Sequence, residues 1–376
     1  MKTMTSRERL LTALNNGRPD RLPCQVHSWM PYYLKTYLNG IDQWEAYKKF
    51  DMDYVIYADV DVEFDKKDLA KWKVERKDLG VDANGNKCWE EQITTPKGKL
   101  HHKGAITDIT VFETENLIKT KEDFEIFNEF WPVPVKIDTT GLKKIKARLG
   151  DKGIVRAFAH YYPGQGSPWQ ALCFIAGTQE SIMWAMDDPQ WVHHAMESLL
   201  QKSIKFTQLC EGIPSDIVEI GGGAASNTVI SPKMFREFCL PYDKRQIEYI
   251  HAAGPKVVYH LCGGMMKMAD MVIETGSDGL ETMTPPLMGG DCNLKEASRL
   301  FGDRLFFIGG FDQNAGFENG SPEDAKRLVF ECFEATKDNA GYIVSPSDHF
   351  FNGNPENIYA FVAAAKECRY YKHNYS

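Results

Sequence analysis

Short β-branched apolar runs alternate along this chain with longer segments of helical spacing. The runs are Cys24–Val26, Asp53–Tyr57, Ile154–Phe158, Asp216–Ile220, Lys256–Cys262, Asp278–Glu281, Arg304–Ile308 and Gly341–Ser345. Each is followed by a helix pattern, or by an insertion and then a helix. Runs of that length bounded by Gly, Pro or polar residues read as strands, and their regular alternation with helices reads as βα units on a parallel sheet. Eight such units predict an α/β fold of the (β/α)8 TIM-barrel type, with its site at the carboxyl ends of the strands. A doubly wound sheet is the other arrangement this alternation permits.

The helix signals are local and chemical. Thr5 or Ser6 can cap a helix over 5–16, and Ser231-Pro232 opens one over 231–253 with a cap residue and then proline. Further helical patterns cover 31–50, 117–150, 177–211, 264–275, 294–300 and 355–368, with another starting at Ser321. One stretch breaks the rhythm. Residues 62–115 are rich in Lys, Asp and Glu, alternate weakly, and contain the hairpin signals NGN and PKGK. They predict a β-rich insertion after the second strand, either a lid over the site or a surface meander, within a single domain spanning 1–376.

Composition narrows the function. The 376 residues carry a formal net charge of −8, which argues against a nucleic-acid or anionic-membrane surface. No apolar stretch reaches signal-peptide or membrane-spanning character, so a soluble cytoplasmic protein is expected. The nine cysteines are scattered, odd in number and include no CxxC pair, which speaks against a disulfide framework.

The strand ends carry His27, Asp59, His160, Glu219, His260 with Cys262, Glu281, Asp312, and Asp348 with His349. The sharpest signal is KVVYHLCGGMM, residues 256–266. A strand ending on His260 and Cys262 places an imidazole and a thiol two residues apart, on one side. That pair suits a soft metal such as zinc; the plain alternative is a satisfied core histidine and a buried thiol. Asp348 and His349 are candidates to complete the metal set or to act as acid and base. Glu219 and Glu281 are candidate ligands, hydrogen-bond partners of His260, or structural acids. Trp29, Tyr32, Tyr33, Tyr161, Tyr162 and Trp169 lie in loops after the first and third strands. With His27 and His160 they could enclose a flat ring, or simply pack the loops.

Several segments resemble the uroporphyrinogen decarboxylase superfamily: ISPKMFREFCLPYDKRQIEYIHAAG (230–254), YHLCGG (259–264), FGDRLFFIGGFD (301–312), GYIVSPSDHF (341–350) and PENI (355–358), with SRERLLTALNNGRPDRLP near the start. The resemblance implies a (β/α)8 barrel and, often, a homodimer. In the true decarboxylases, arginines of the first loop hold the substrate carboxylates and an aspartate after the second strand faces the pyrroles. Asp59 falls at that aspartate, but the loop His27-Ser-Trp-Met-Pro-Tyr-Tyr-Leu34 has no arginine. A substrate with many carboxylates needs such forks.

The resemblance is closer to the zinc-dependent, corrinoid-linked methyltransferases, in which a His-x-Cys pair and a later cysteine bind zinc. His260 and Cys262 match the pair; Ser347 stands where the cysteine would be, beside Asp348 and His349. The metal set then comprises His260 and Cys262 with Asp348, His349, Glu219 or Glu281, or the metal is absent. With fewer sulfurs than a thiol-activating site, the implied reaction is O-demethylation of a methoxylated aromatic, with a separate corrinoid protein as methyl acceptor. The alternatives are a metal-free decarboxylase-like lyase using Asp59, and a non-catalytic binder of corrinoids or aromatics.

Overall fold

A computed structural model describes residues 3–164, 166–338 and 341–370. In chain order its strands are β1 (Tyr54–Tyr57), β2 (Asp61–Phe64), β3 (Lys73–Val81), β4 (Lys87–Thr95), β5 (Gly98–Ile106), β6 (Val111–Glu115) and β7 (Pro134–Asp138), then β8 (Gly153–Ala157), β9 (Ile217–Gly221), β10 (Lys256–His260), β11 (Gly279–Thr282), β12 (Phe306–Phe311) and β13 (Tyr342–Pro346). Seven of them form one sheet in the order β1-β8-β9-β10-β11-β12-β13. Every pairing in it is parallel.

The first expected strand is reduced to a single bridge. Cys24 pairs with Val344 of β13, and its carbonyl accepts from the Asp53 N–H, just ahead of β1, at 3.2 Å. Pro23 has no N–H to give, and the Cys24 N–H goes to the Asp53 carboxylate at 3.1 Å. These local partners leave no ladder to extend. The sheet therefore has seven strands where eight were expected, with this bridge between its two edge strands.

Along the strands the side chains alternate, and that alternation builds the site. Val55, Ile154, Ile217, Val258, Phe306, Ile308 and Ile343 form one apolar cluster, closed below by Leu10, Ala13 and Leu14 of the helix Ser6–Leu14. Two residues further along β1, β8, β9 and β10, on the same face, stand Tyr57, Arg156, Glu219 and His260. A dry layer thus supports a polar one. The opposite faces of β9 and β10, Val218, Ile220, Val257 and Tyr259, join the larger core with the surrounding helices.

Tyr259 behind the site donates its hydroxyl to Asp243 Oδ2 at 2.6 Å. Asp243 is fully buried and its Oδ1 has no partner. Burial pushes its carboxyl up to about 7. The unfolded carboxyl releases its proton near 3.9, the folded one only near 7, so stability falls as pH rises between them. Asp243→Asn keeps an acceptor for Tyr259 without the buried charge. It is expected to stabilise the protein by roughly 2 kcal/mol at pH 8 and hardly at all at pH 4. Urea unfolding at the two pH values checks this, and an equal shift at both would refute it.

Within the stretch 62–115, β3-β4-β5-β6 form a four-stranded sheet, antiparallel throughout, and β2 pairs antiparallel with β7 in a two-stranded one. Within it His102 is half-buried between Glu113 (2.9 Å) and Glu91 (3.1 Å). Two expectations change. The region 117–150 contains β7 between two helices; its PVKID sequence has too little apolar character to read as a strand. The region 31–50 is two helices, Pro31–Tyr37 and Gln43–Phe50. Asn39 and Gly40 turn with positive φ, and Asp42 opens the second helix with a capping box. Among the described residues no helix is long and apolar enough to cross a membrane.

Candidate active site

The polar layer is an ion cluster centred on Arg156. Its guanidinium grips Glu281 twice, at 2.7 and 2.6 Å, and also bonds Glu219. It lies 4.9 Å from the Tyr57 ring centroid. Glu281 Oε1 also accepts from His260 Nδ1 at 2.9 Å, and Glu219 Oε1 lies 3.6 Å from the same nitrogen. Arg156, Glu281 and His260 are each at most 2% exposed. Burial alone would raise the Glu281 carboxyl, but Arg156 and His260 hold it well below the usual range. Burial likewise works to lower His260, yet Glu219, Cys262 and Glu281 outweigh it and hold the imidazole well above its ordinary value. Two carboxylates face one guanidinium, so the cluster keeps one negative charge and is built to hold a cation at His260.

Cys262 stands half-buried two residues beyond His260, just past the end of β10, and raises the His260 imidazole. The run Gly221-Gly222-Gly223 walls this position. The Gly222 N–H donates to the His260 carbonyl at 2.9 Å, and a Cβ on Gly223 would lie 2.8 Å from Cys262 Sγ, so a side chain there would displace the thiol. After Glu281, Thr282 and Met283 have φ of 75° and 48°. Such values in side-chain-bearing residues, one of them β-branched, mark strain of the kind found at functional sites.

Among the described residues, two three-residue groups bring ligand atoms within 4.8 Å of one another: His27, His260 and Glu281; and His27, Asp348 and His349. The His27 ring centroid is 5.4 Å from that of His260 and 4.8 Å from that of His349. Burial, opposed by Glu281 and reinforced by His260, Arg156 and His349, lowers His27 to about 4. The Ser28 hydroxyl lies 3.2 Å from His349 Nδ1. Asp348 is half-buried and accepts from the His349 N–H at 2.7 Å.

The remaining expected residues divide in two. Asp59, His160, Tyr161 and Tyr162 line a cavity of about 230 Å³ with Phe158 and Phe206. Tyr161 stacks on Trp131 at 4.7 Å and 12°. Partial burial pushes the Asp59 carboxyl up, although the residue is exposed at the mouth. His160 joins this cavity to the ion cluster through a 2.8 Å contact between Nε2 and the Glu219 carbonyl. Trp29, Tyr33 and Trp169, expected around a ring, lie instead in the core. Trp29 stacks on Phe50, Tyr33 donates to the Gly353 carbonyl, and Trp169 donates to the Ala224 carbonyl. Ser347 is fully buried and its hydroxyl donates to the Phe311 carbonyl at 3.1 Å.

Arg156 and Tyr57 escaped the sequence reading. The signal was there for Arg156: a guanidinium inside the apolar run IVRAF cannot be buried without carboxylates to meet it.

This donor set fits zinc. His260, held through Nδ1 by a carboxylate that Arg156 anchors, matches the carboxylate–histidine–metal arrangement that fixes ring orientation. A thiolate at Cys262 would add a second negative charge to the cluster's one, together the charge of a divalent cation. Glu281 has both oxygens engaged, which makes it an orienting group.

Comparison with known proteins places the chain in a family. A methylated-thiol–coenzyme M methyltransferase of Methanosarcina mazei is 25% identical over 202 residues, covering 54% of this chain and 51% of that protein. A methylcobamide:CoM methyltransferase of Methanosarcina acetivorans is 24% identical over 157 residues, 42% of this chain and 43% of that protein. The chain thus spans about half the length of the curated relatives it matches. A solved methyltransferase from Methanosarcina mazei shares the fold, with a TM-score of 0.62 at 14% identity over 97% of this chain and 99% of that one. Residues 142–368, more than half of the chain, match the family described as uroporphyrinogen decarboxylase (URO-D), and the chain belongs to that family.

Proposed function

We propose that this protein is a zinc-dependent methyltransferase that moves a methyl group between a small donor and a corrinoid protein, acting on methoxylated aromatics as an O-demethylase. The observation that carries the reading is the β10 end, where His260 is oriented by Glu281 and Arg156 beside Cys262. The similarity to two corrinoid- or coenzyme M-linked methyltransferases supports it.

His260 and Cys262 would hold the metal, which when bound would act as a Lewis acid on the ether oxygen and make the phenolate a better leaving group. The chain's own groups supply the rest. Arg156 and Glu281 keep the His260 ring in one orientation. The cavity walls Phe158, Tyr161 and Phe206 suit a flat apolar ring. Asp348 and His349 stand half-exposed beside His27, where one of them can return a proton to the departing phenolate oxygen. The sheet β3–β6 would act as the lid over this end.

The test uses the purified protein, 1,2-dimethoxybenzene and cob(I)alamin under reductant. The expected result is loss of the cob(I)alamin absorbance with stoichiometric release of the monomethoxy phenol. The activity should disappear after dialysis against a zinc chelator and return with zinc. Turnover that survives chelation would mean that the methyl group moves without a metal, and no turnover by the zinc-loaded protein would leave a metal-free lyase as the better reading; either result sinks the proposal.

A further inference from the structure

The resemblance leaves a gap in the metal site, and the geometry points to what fills it. We infer that His27 is a ligand of the metal, in place of the side chain at position 347. The inference rests on the reading that zinc sits at His260.

Position 347 cannot contribute. Ser347 is fully buried, and its hydroxyl is committed to the Phe311 carbonyl at 3.1 Å while its N–H goes to Gln313 Oε1 at 3.0 Å. A neutral hydroxyl is also a weak ligand beside imidazole and thiolate. His27 has the opposite character. It comes from the segment that bridges the edge strands, three residues beyond the Cys24 pairing, which aims it at the strand ends. It is 6% exposed. Its ring contacts His260 and His349, yet it makes no hydrogen bond among the described residues. A buried imidazole ordinarily satisfies at least one nitrogen. His27 also belongs to both of the groups whose ligand atoms converge.

Charge selects among the neighbours. Glu219, Glu281 and Arg156 leave one negative charge, and a Cys262 thiolate makes two, which a divalent ion already balances. A further ligand should therefore be neutral. Asp348 would add an uncompensated charge; an imidazole adds none. The resulting set, His27, His260 and Cys262, has three protein ligands and keeps the fourth position for the substrate, as catalytic zinc sites do. Cys262 lies two residues from His260 and raises its imidazole but belongs to neither converging group. His349 stands 4.8 Å from the His27 ring, on the side left open.

The test reads metal binding, not turnover. Wild type, His27→Ala, His27→Cys and Ser347→Ala are loaded with zinc and competed against a chromogenic chelator, and each is also loaded with cobalt(II) for absorption spectroscopy. His27→Ala should lose at least about tenfold in zinc affinity, the minimum expected from the cost of removing an outer partner alone, and its cobalt ligand-field bands should change. Ser347→Ala should bind as wild type does. His27→Cys should recover affinity and roughly double the thiolate-to-cobalt charge-transfer intensity, a gain no structural role for His27 would give. Wild-type affinity and spectrum in His27→Ala, or an unchanged single-thiolate band in His27→Cys, would overturn the inference while leaving zinc at His260. Wild type that takes up neither metal overturns both. Far-UV circular dichroism of the metal-free variants separates misfolding from ligand loss, and His27→Cys decides the matter if His27→Ala does not fold.

Discussion

Replacing Arg156 with methionine is expected to destabilise the protein by about 3–5 kcal/mol. Arg156 lies between two buried carboxylates, bonded twice to Glu281 and once to Glu219. The whole arrangement is withdrawn from solvent, with Arg156 and Glu281 each 1% exposed. Methionine fills similar volume but leaves Glu219 and Glu281 facing each other with only His260 between them. The stable response is protonation of one carboxylate, which surrenders the anchor of His260. Urea unfolding of the metal-free protein at pH 7 measures the loss. The double variant Arg156→Met/Glu281→Gln should recover a substantial part of it, because the second change removes the stranded charge. A single variant as stable as wild type would mean that water reaches the cluster and screens it. The same substitution should also weaken zinc, since the ring of His260 would no longer be held.

How much of this could be read from the sequence follows from what each feature depends on. The parallel α/β order was legible because buried strands are continuous apolar runs, and β8, β9, β10 and β13 need no partner to be recognised. The Cys24 segment was legible as extended but not as a one-residue bridge, since its length depends on Asp53 capturing its N–H. β7 was invisible for the converse reason: it is held by pairing with β2 and not by burial. In the site, His260 with Cys262 stood out because their spacing is a local property. Glu219 and Glu281 were legible as strand-end acids near His260, but Arg156 was not, although it lies in a recognised strand, because only the sheet order β8-β9-β10-β11 makes it their neighbour. His27 was expected near the substrate; that its ring also lies 5.4 Å from that of His260, more than 200 residues away in sequence, is a property of the fold alone. The aromatic residues could be read as a ring-binding set or as loop packing, and the structure has both, with Tyr161 and Tyr162 lining a cavity. Trp29, Tyr33 and Trp169 have the composition of a ring-binding loop, and tertiary packing put them in the core.

His260→Ala should lower methyl transfer by more than about 100-fold, beyond the range for loss of an outer-sphere partner, with a comparable loss of zinc. The reasoning starts from what the substitution leaves behind. Glu281 stays paired with Arg156 at both oxygens, so the ion cluster survives and the apolar layer of Val258 and its neighbours beneath it is untouched. The alanine variant should therefore fold, unlike a variant stripped of Arg156. What disappears is the imidazole that links the cluster to Cys262. Without it the single negative charge of the cluster has no route to a cation at the strand ends, and Cys262 alone cannot fix a metal in one geometry. Cys262→Ser tests the other half of the pair: it should keep some cobalt(II) binding through imidazoles but lose the thiolate-to-metal absorption. Zinc content, cobalt spectra and initial rates with 1,2-dimethoxybenzene distinguish these outcomes. Folded His260→Ala protein that binds zinc and turns over at wild-type rates would show that the chemistry sits elsewhere on the strand ends, and the Asp59 cavity would then be the place to look.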